Sequence, residues 1–277
     1  MAGDPAANDN KYIVPALAQG LGILSLFGPE RRQLTAPEIA KQLSLPRTTV
    51  FRLLQTLQSM DYVRCEPDKR HFNLGPALLN RGFEYLASLD LVEVAQPVLQ
   101  RLRDQTGLST HMAIRDGREI VYVCRFPARS AISSTVHIGT RFPAHATIMG
   151  RMTIFELGER ELLDLFRDQP LKRYTRQTPT TLKALKALLA EDRKLGYAIS
   201  QAFFEAGVCS VAAPVRDGAG NIAAAINVTA VDAHIDERHL HGELKDAVLA
   251  AAAEISRWLC QTSVAQPPYK EDPVHAG

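Results

Sequence analysis

The sequence predicts an α+β protein in two parts. A small winged helix-turn-helix leads, through a connecting helix, to a larger part in which helices pack on an antiparallel sheet. Three observations predict it. Thr35-Ala36-Pro37-Glu38 is a capping box opening a short helical stretch, which breaks at Ser44-Leu45 and restarts at Pro46. Two short β-type runs, 62–65 and 71–74, follow at once around the polar turn Glu66-Pro67-Asp68-Lys69-Arg70. Beyond residue 108, β-rich runs are joined by Asp116-Gly117 and by Asp217-Gly218-Ala219-Gly220-Asn221, the punctuation of antiparallel hairpins.

Each element can be justified in order. Ile13, Leu17, Leu21 and Leu24 recur at helical spacing, so 12–27 reads as an amphipathic helix stopped by Gly28-Pro29. The capping box then starts a short helix with Ile39 and Leu43 inward. From Pro46 to Ser59, Val50, Leu53, Leu54 and Leu57 make one apolar face. Residues 76–88 read as a further helix and a connector, and Leu91, Val94, Val98 and Leu102 begin another that Gly107 closes. Strands are expected at 110–115, 119–125, 131–138, 208–215 and 222–230, and helices at about 147–157, 159–167, 181–195 and 237–261. The expected divisions are 11–75 for the winged helix-turn-helix, 76–90 for the connector and 91–262 for the larger domain. A disordered tail over 263–277 carries Pro267-Pro268 and Pro273.

Composition narrows the class. Of 277 residues, 46% are hydrophobic and 22% charged, which suits a globular core, and no apolar run reaches membrane-spanning length. Met1 to Asn10 has two acids and no basic or apolar signal segment, so no signal peptide is expected. Four scattered cysteines, Cys65, Cys124, Cys209 and Cys260, exclude a disulfide framework and argue against a cysteine zinc site, which points to a reducing cytoplasm. The net charge of +2 hides an asymmetry: residues 11–75 hold nine bases against five acids, so the rest of the chain is mildly acidic.

With Val50 buried, Thr48, Arg52, Gln55 and Ser59 fall on the opposite face of their helix, and Arg47 and Thr49 flank its first turn. A basic, threonine-bearing helix start suits a recognition helix in a DNA major groove, because arginine pairs with guanine and threonine bonds a base or touches the thymine methyl. Arg64, Lys69 and Arg70 on the hairpin suit phosphate or minor-groove contact. The candidate DNA-binding set is therefore Arg47, Thr48, Thr49, Arg52, Arg64, Lys69 and Arg70.

These residues carry a resemblance. Leu34-Thr35-Ala36-Pro37-Glu38-Ile39-Ala40, Leu45-Pro46-Arg47-Thr48-Thr49-Val50-Phe51-Arg52-Leu53-Leu54 and Asn73-Leu74-Gly75-Pro76 lie in the N-terminal part. Ile138-Gly139-Thr140-Arg141-Phe142-Pro143-Ala144-His145-Ala146-Thr147, Gly196-Tyr197-Ala198 and Gly207-Val208-Cys209-Ser210-Val211-Ala212-Ala213-Pro214-Val215 lie in the C-terminal part. Over about 13–262 the chain resembles the IclR family of bacterial transcription regulators.

The resemblance implies a winged helix-turn-helix, a linker helix and a GAF-like domain that binds a small effector, commonly a carboxylate. It also implies double-stranded operator DNA as partner, self-association as dimer or tetramer, and a cytoplasmic location. The effector-site positions it carries over are Ala146, Thr147, Met149, Ser200, Ser210, Asn227 and Thr229. Ser200 stands where relatives often carry an acid, and Ser210 where they often carry cysteine, which argues against a glyoxylate- or pyruvate-type effector. Arg151 fits the basic position after Gly150. Neutral hydrogen-bonding groups beside Met149, at a helix start that favours an anion, point to an aromatic carboxylate.

No Gly-x-Ser-x-Gly, phosphate-binding loop or His-Glu-x-x-His motif appears, and neither enzyme, cofactor nor metal is expected. His111, His137 and His145 as a zinc set, and Cys209 as a redox sensor, are weaker readings than ordinary strand and loop residues. Gly20 and Gly22 read as sites of close helix packing and Trp258 as helix packing. The alternative function is a metabolite sensor or enzyme built on the C-terminal domain, with the helix-turn-helix serving protein contacts.

Overall fold

The computed structural model describes residues 12–68, 70–128, 136–167, 169–201, 207–231 and 237–265. The chain divides between Ser88 and Leu89 into two units.

In the first unit, α1 (Pro15–Leu24), α2 (Ala36–Leu43) and α3 (Arg47–Ser59) enclose a core of Ile23, Leu34, Ile39, Val50, Leu54, Val63 and Phe72. The capping box forms as the sequence requires. The Glu38 amide donates to Thr35 Oγ1, and the Thr35 amide donates to Glu38 Oε2 at 2.7 Å. Ser44, at φ 53°, makes the left-handed turn into α3. A three-stranded sheet completes the unit in the order β1 (Leu34–Thr35), β3 (His71–Leu74), β2 (Val63–Cys65). The two-residue β1 was not anticipated, because it exists only through its pairing with β3, where Leu34 faces Phe72. Gly75 lets the chain pass close to Asp61, since a Cβ there would sit 2.0 Å from the Asp61 carbonyl oxygen. Helix α4 (Ala77–Ala87) follows.

Helix α1 departs from its expected facing. Gly20 and Ile23 are buried, whereas Ile13, Leu17 and Leu21 are more than half exposed. The cause lies in Gly20 and Gly22, whose bare backbone faces Leu53 and Leu43 and brings the glycine side of the helix inward.

The second unit is built on a six-stranded antiparallel sheet. Its strands are β4 (Ser109–Asp116), β5 (Glu119–Phe126), β6 (Arg141–Pro143), β7 (Ala198–Gln201), β8 (Val208–Arg216) and β9 (Ile222–Val231). Their order is β6-β5-β4-β9-β8-β7. Asp116-Gly117 makes the β4–β5 hairpin, with Gly117 at φ 58°. Asp217 organises the β8–β9 turn by accepting from the amides of Ala219 and Asn221. One face is covered by α5 (Asp90–Thr106) and α10 (Lys245–Ala265), and Thr110 donates to the Leu99 carbonyl of α5 from that side. The other face carries α6 (Ile148–Ile154), with α7 (Glu159–Phe166) and α8 (Leu182–Leu195) in the same apolar cluster. Thr181 caps α8, and Gly196, at φ 76°, ends it.

Three expectations shift here. Of the strand expected at 131–138, residues 131–135 lie outside the described residues, 136–140 form a turn, and the strand is β6. Strand β7 was not anticipated; four residues long, it follows Gly196-Tyr197 with no turn signal of its own. The final helix is interrupted: α9 (Glu237–His239) runs into a π turn at 240–244, where Gly242 leaves helical geometry, and α10 continues to Ala265. Beyond 265 the expected tail lies outside the described residues.

Candidate functional site

In the first unit, α3 buries Val50 and Leu54 and turns Arg47, Thr48, Arg52 and Gln55 to the outside, with Thr49 half-buried. Phe51 stands among them 58% exposed, an aromatic group that sequence reasoning assigned no role. Its place beside Thr48 and Arg52, one helical turn on, was readable from the periodicity. No acid lies in the first turn of α3, so the amides at its start and the two arginines present unopposed positive charge.

The hairpin residues stand differently. Arg64 is held by Asp61 through two hydrogen bonds, Nε–Oδ1 at 2.9 Å and Nη2–Oδ2 at 3.2 Å, so its guanidinium is already engaged. Arg70 is exposed. Lys69 lies outside the described residues. Asp68 shapes the tip by accepting from the amides of Arg70 and His71 and meeting the His71 ring. The Arg70 amide first, then the His71 groups, hold its carboxyl down at about 2.

In the second unit the sheet face under α6 is paved with small apolar residues, Ala113, Ala198, Ala212 and Ala225. Facing residues in an antiparallel ladder share a side, and so do residues two apart on one strand. The registers Ser200↔Ser210, Ser210↔Thr229, Ser109↔Thr229 and His111↔Asn227 therefore bring six polar side chains onto this face as a stripe. All six are buried, and the Ser109 Oγ accepts from the Ala128 amide at 2.9 Å. Ser210 Oγ lies 2.9 Å from Thr229 Oγ1, Asn227 Nδ2 donates to Thr229 Oγ1 at 2.8 Å, and His111 Nδ1 lies 3.0 Å from Asn227 Oδ1.

Of the carried-over residues, Ser210, Asn227 and Thr229 thus touch one another, and Ser200 faces Ser210 from the edge strand. Met149 packs from α6 into the alanine-paved cluster. Ala146 and Thr147 are buried in the approach to α6, but the Thr147 hydroxyl accepts from the Gly150 amide at 3.1 Å. That amide therefore serves the helix cap, whereas the sequence predicts that the amides of 147–150 face a ligand.

Sequence reasoning weighed His111 only as a zinc ligand and missed its place in the stripe, because the ladder partner Asn227 is 116 residues away. Arg125, opposite His111 in the ladder, was missed for the same reason. Burial, and secondarily the Arg125 charge, push the His111 imidazole down to about 4, so it is neutral at pH 7. Its ring meets Tyr122 edge-on at 5.5 Å. His145 instead bonds the Lys172 carbonyl at 3.0 Å, and among the described residues no cluster of three or more His, Cys, Asp or Glu could hold a metal. Burial pushes the Cys209 thiol up, away from the reactive thiolate. No helix among the described residues is long and apolar enough to cross a membrane.

Known proteins share this architecture. Residues 16–67 match the IclR helix-turn-helix domain, and residues 83–257 match the bacterial transcriptional regulator IclR C-terminal domain. The chain is 34% identical to the HTH-type transcriptional regulator XynR of Escherichia coli K12, over 89% of this chain and 98% of that protein. A transcriptional regulator from Rhodococcus sp. RHA1 superposes with a TM-score of 0.81 at 34% identity, covering 90% of this chain and all of that one. An IclR homologue from Microbacterium hydrocarbonoxydans, crystallised with 4-hydroxybenzoate, superposes with a TM-score of 0.77 at 24% identity, covering 88% and 98%. With one family domain covering more than half its length and the paired helix-turn-helix domain preceding it, the chain belongs to the IclR family of bacterial transcriptional regulators.

Proposed function

We propose that this regulator reads a pseudo-palindromic operator with two copies of α3, and that an aromatic carboxylate bound at the stripe of the second unit sets its DNA affinity. The observation that carries the effector reading is the stripe. Six buried polar groups interrupt a face otherwise paved largely with alanine, where fold stability alone calls for apolar side chains. The Microbacterium homologue, which shares the fold, holds such an acid.

Three observations support the remaining parts of the reading. A single recognition helix reaches few bases, so half-sites are read in pairs by a two-fold assembly. The first unit carries apolar surface suited to that assembly: Ile13 just before α1, Leu17 and Leu21 along it, and Leu79, Phe83 and Tyr85 along α4, are all at least half exposed. A regulatory rather than catalytic role fits the stripe, since Ser210 bonds Thr229 and no hydroxyl among the described residues bonds His111 Nε2. Four free thiols suit the cytoplasm.

DNA retardation on the region upstream of the chain's own gene, with and without aromatic acids, is the test. An acid that shifts affinity in wild type but not in Asn227→Ala, whose effector-free affinity stays within about threefold, supports the reading. A response that survives in Asn227→Ala overturns it.

A further inference from the structure

The stripe has a direction. Asn227 Oδ1 carries no proton, so the 3.0 Å contact with His111 requires that Nδ1 donate. The imidazole is neutral and has one N–H, so Nε2 is left as a bare lone pair. That atom is buried, in a residue 1% exposed, and has no hydrogen-bond partner among the described residues. At the other end Asn227 Nδ2 donates to Thr229 Oγ1, and the Thr229 and Ser210 hydroxyls share one hydrogen bond in which either can donate, so one proton of that pair is left to donate onward. The row runs from an unmet acceptor at His111 to an available donor at the Ser210–Thr229 pair, and the Tyr122 ring lies edge-on against the imidazole.

We infer that the effector is a hydroxy acid whose hydroxyl donates to His111 Nε2, with its carboxylate toward the Ser210 end of the stripe. This rests on the reading that the stripe is the effector site. A hydroxyl satisfies the buried lone pair. An ether or carbonyl oxygen in the same place sets lone pair against lone pair, and an unsubstituted ring leaves Nε2 unmet. His111 is then the residue that selects for the hydroxyl, while Asn227 is a positioning residue that fixes the tautomer.

Calorimetry on the full chain with five probes tests this: benzoate, 3-hydroxybenzoate, 4-hydroxybenzoate, 4-methoxybenzoate and 4-aminobenzoate. One of the two hydroxybenzoates is expected to bind at least tenfold tighter than benzoate and 4-methoxybenzoate. 4-Aminobenzoate, which keeps a donor of similar size, is expected to fall between. His111→Phe keeps a ring against Tyr122 and is expected to erase the preference. Long-range proton–nitrogen NMR on histidine-labelled wild type needs no variant, and is expected to show His111 protonated at Nδ1 and bare at Nε2. Benzoate or the methyl ether binding as tightly as both hydroxy acids overturns the inference and leaves the effector site standing, as does a proton on Nε2. If none of the five acids binds, the aromatic-acid reading itself fails and takes the inference with it.

Discussion

Arg151 of α6 and Asp192 of α8 form an ion pair with both side chains less than a tenth exposed, Nη2–Oδ1 at 3.1 Å and Nε–Oδ2 at 2.8 Å. The first contact is a well-formed hydrogen bond, and the second is close but poorly aligned. Burial dominates for both partners, pushing the Arg151 pKa down and the Asp192 pKa up against their mutual attraction. The pair ties the helix that seats Met149 on the sheet to its neighbour. Asp192→Ala leaves a buried guanidinium without its carboxylate, and is expected to cost about 3–5 kcal/mol. Arg151→Met combined with Asp192→Leu is expected to recover most of it. Urea unfolding of the three proteins is the measurement. A double variant no more stable than Asp192→Ala would show that the pair is worth more than the apolar contact replacing it.

His111 makes stability depend on pH. Its folded pKa is about 4 against an ordinary 6.5, so between these values the unfolded chain takes up a proton that the folded chain refuses. Stability from this group is therefore full above about pH 6.5 and is lost as pH falls toward 4, by about 3 kcal/mol. His111→Gln is expected to flatten that part of the profile. Denaturation midpoints at pH 7.5, 5.5 and 4.5 for both proteins check it, and parallel profiles would assign the acid sensitivity to other groups.

On DNA, Arg47→Ala and Arg52→Ala are expected each to weaken operator binding by about 1–3 kcal/mol and to relax discrimination at one half-site position. Arg70→Ala and Lys69→Ala are expected to weaken all sequences alike and to lower the salt slope by about one per site. Dissociation constants on operator and random DNA across salt separate the two kinds. If Arg52→Ala and Lys69→Ala behave alike, the division between base reader and phosphate clamp is wrong.

The Arg64–Asp61 pair yields a change of opposite sign. Asp61 sits at φ 57°, a conformation asparagine tolerates, so Asp61→Asn is expected to keep the turn while loosening its hold on Arg64. Binding to random DNA should then tighten and its salt slope steepen. An unchanged slope would mean that Arg64 does not reach the phosphates even when released.

Glycine positions offer a graded comparison. A Cβ on Gly150 would lie 2.3 Å from the Ala144 carbonyl oxygen, and one on Gly75 only 2.0 Å from that of Asp61, whereas one on Gly82 of α4 meets nothing within 4 Å. Gly150→Ala and Gly75→Ala are expected to cost about 3 kcal/mol or more, because backbone must move. Gly82→Ala is expected to gain about 0.5–1 kcal/mol from helix propensity. Chemical denaturation of the three variants decides, and a harmless Gly150→Ala would mean that α6 can lift from the Ala144 segment without loss.

Signals local in sequence were the legible ones. Thr35 and Glu38 meet three residues apart, Asp116-Gly117 turns its hairpin, and Gly196 ends α8, since each needs only its neighbours. Strand β1 was invisible because two residues carry no period, and only Phe72 across the sheet makes Leu34 a strand residue. The facing of α1 was misread because leucines outweigh glycines in any apolar pattern, although Gly20 and Gly22 decide which side can approach Leu53 and Leu43. In the candidate site, Ser210, Asn227 and Thr229 came from the family resemblance. That they bond one another, and that His111 completes the row, depends on β4–β9 and β8–β9 registers, the first of which joins His111 to Asn227 across 116 positions.

The main-chain ladder that sets Ser210 against Thr229, and Asn227 against His111, is made without any of these four side chains. The scaffold is thus indifferent to which polar groups stand in the row, whereas the row depends on its own members. Exchanging Asn227 alone strands the His111 proton on one side of it and the Thr229 acceptor on the other. Exchanging it together with His111 or Thr229 can restore a complete sequence of donors and acceptors in either direction. Lineages that change ligand through this sheet are therefore expected to alter these positions two at a time, and intermediates with a single exchange to be short-lived in descent.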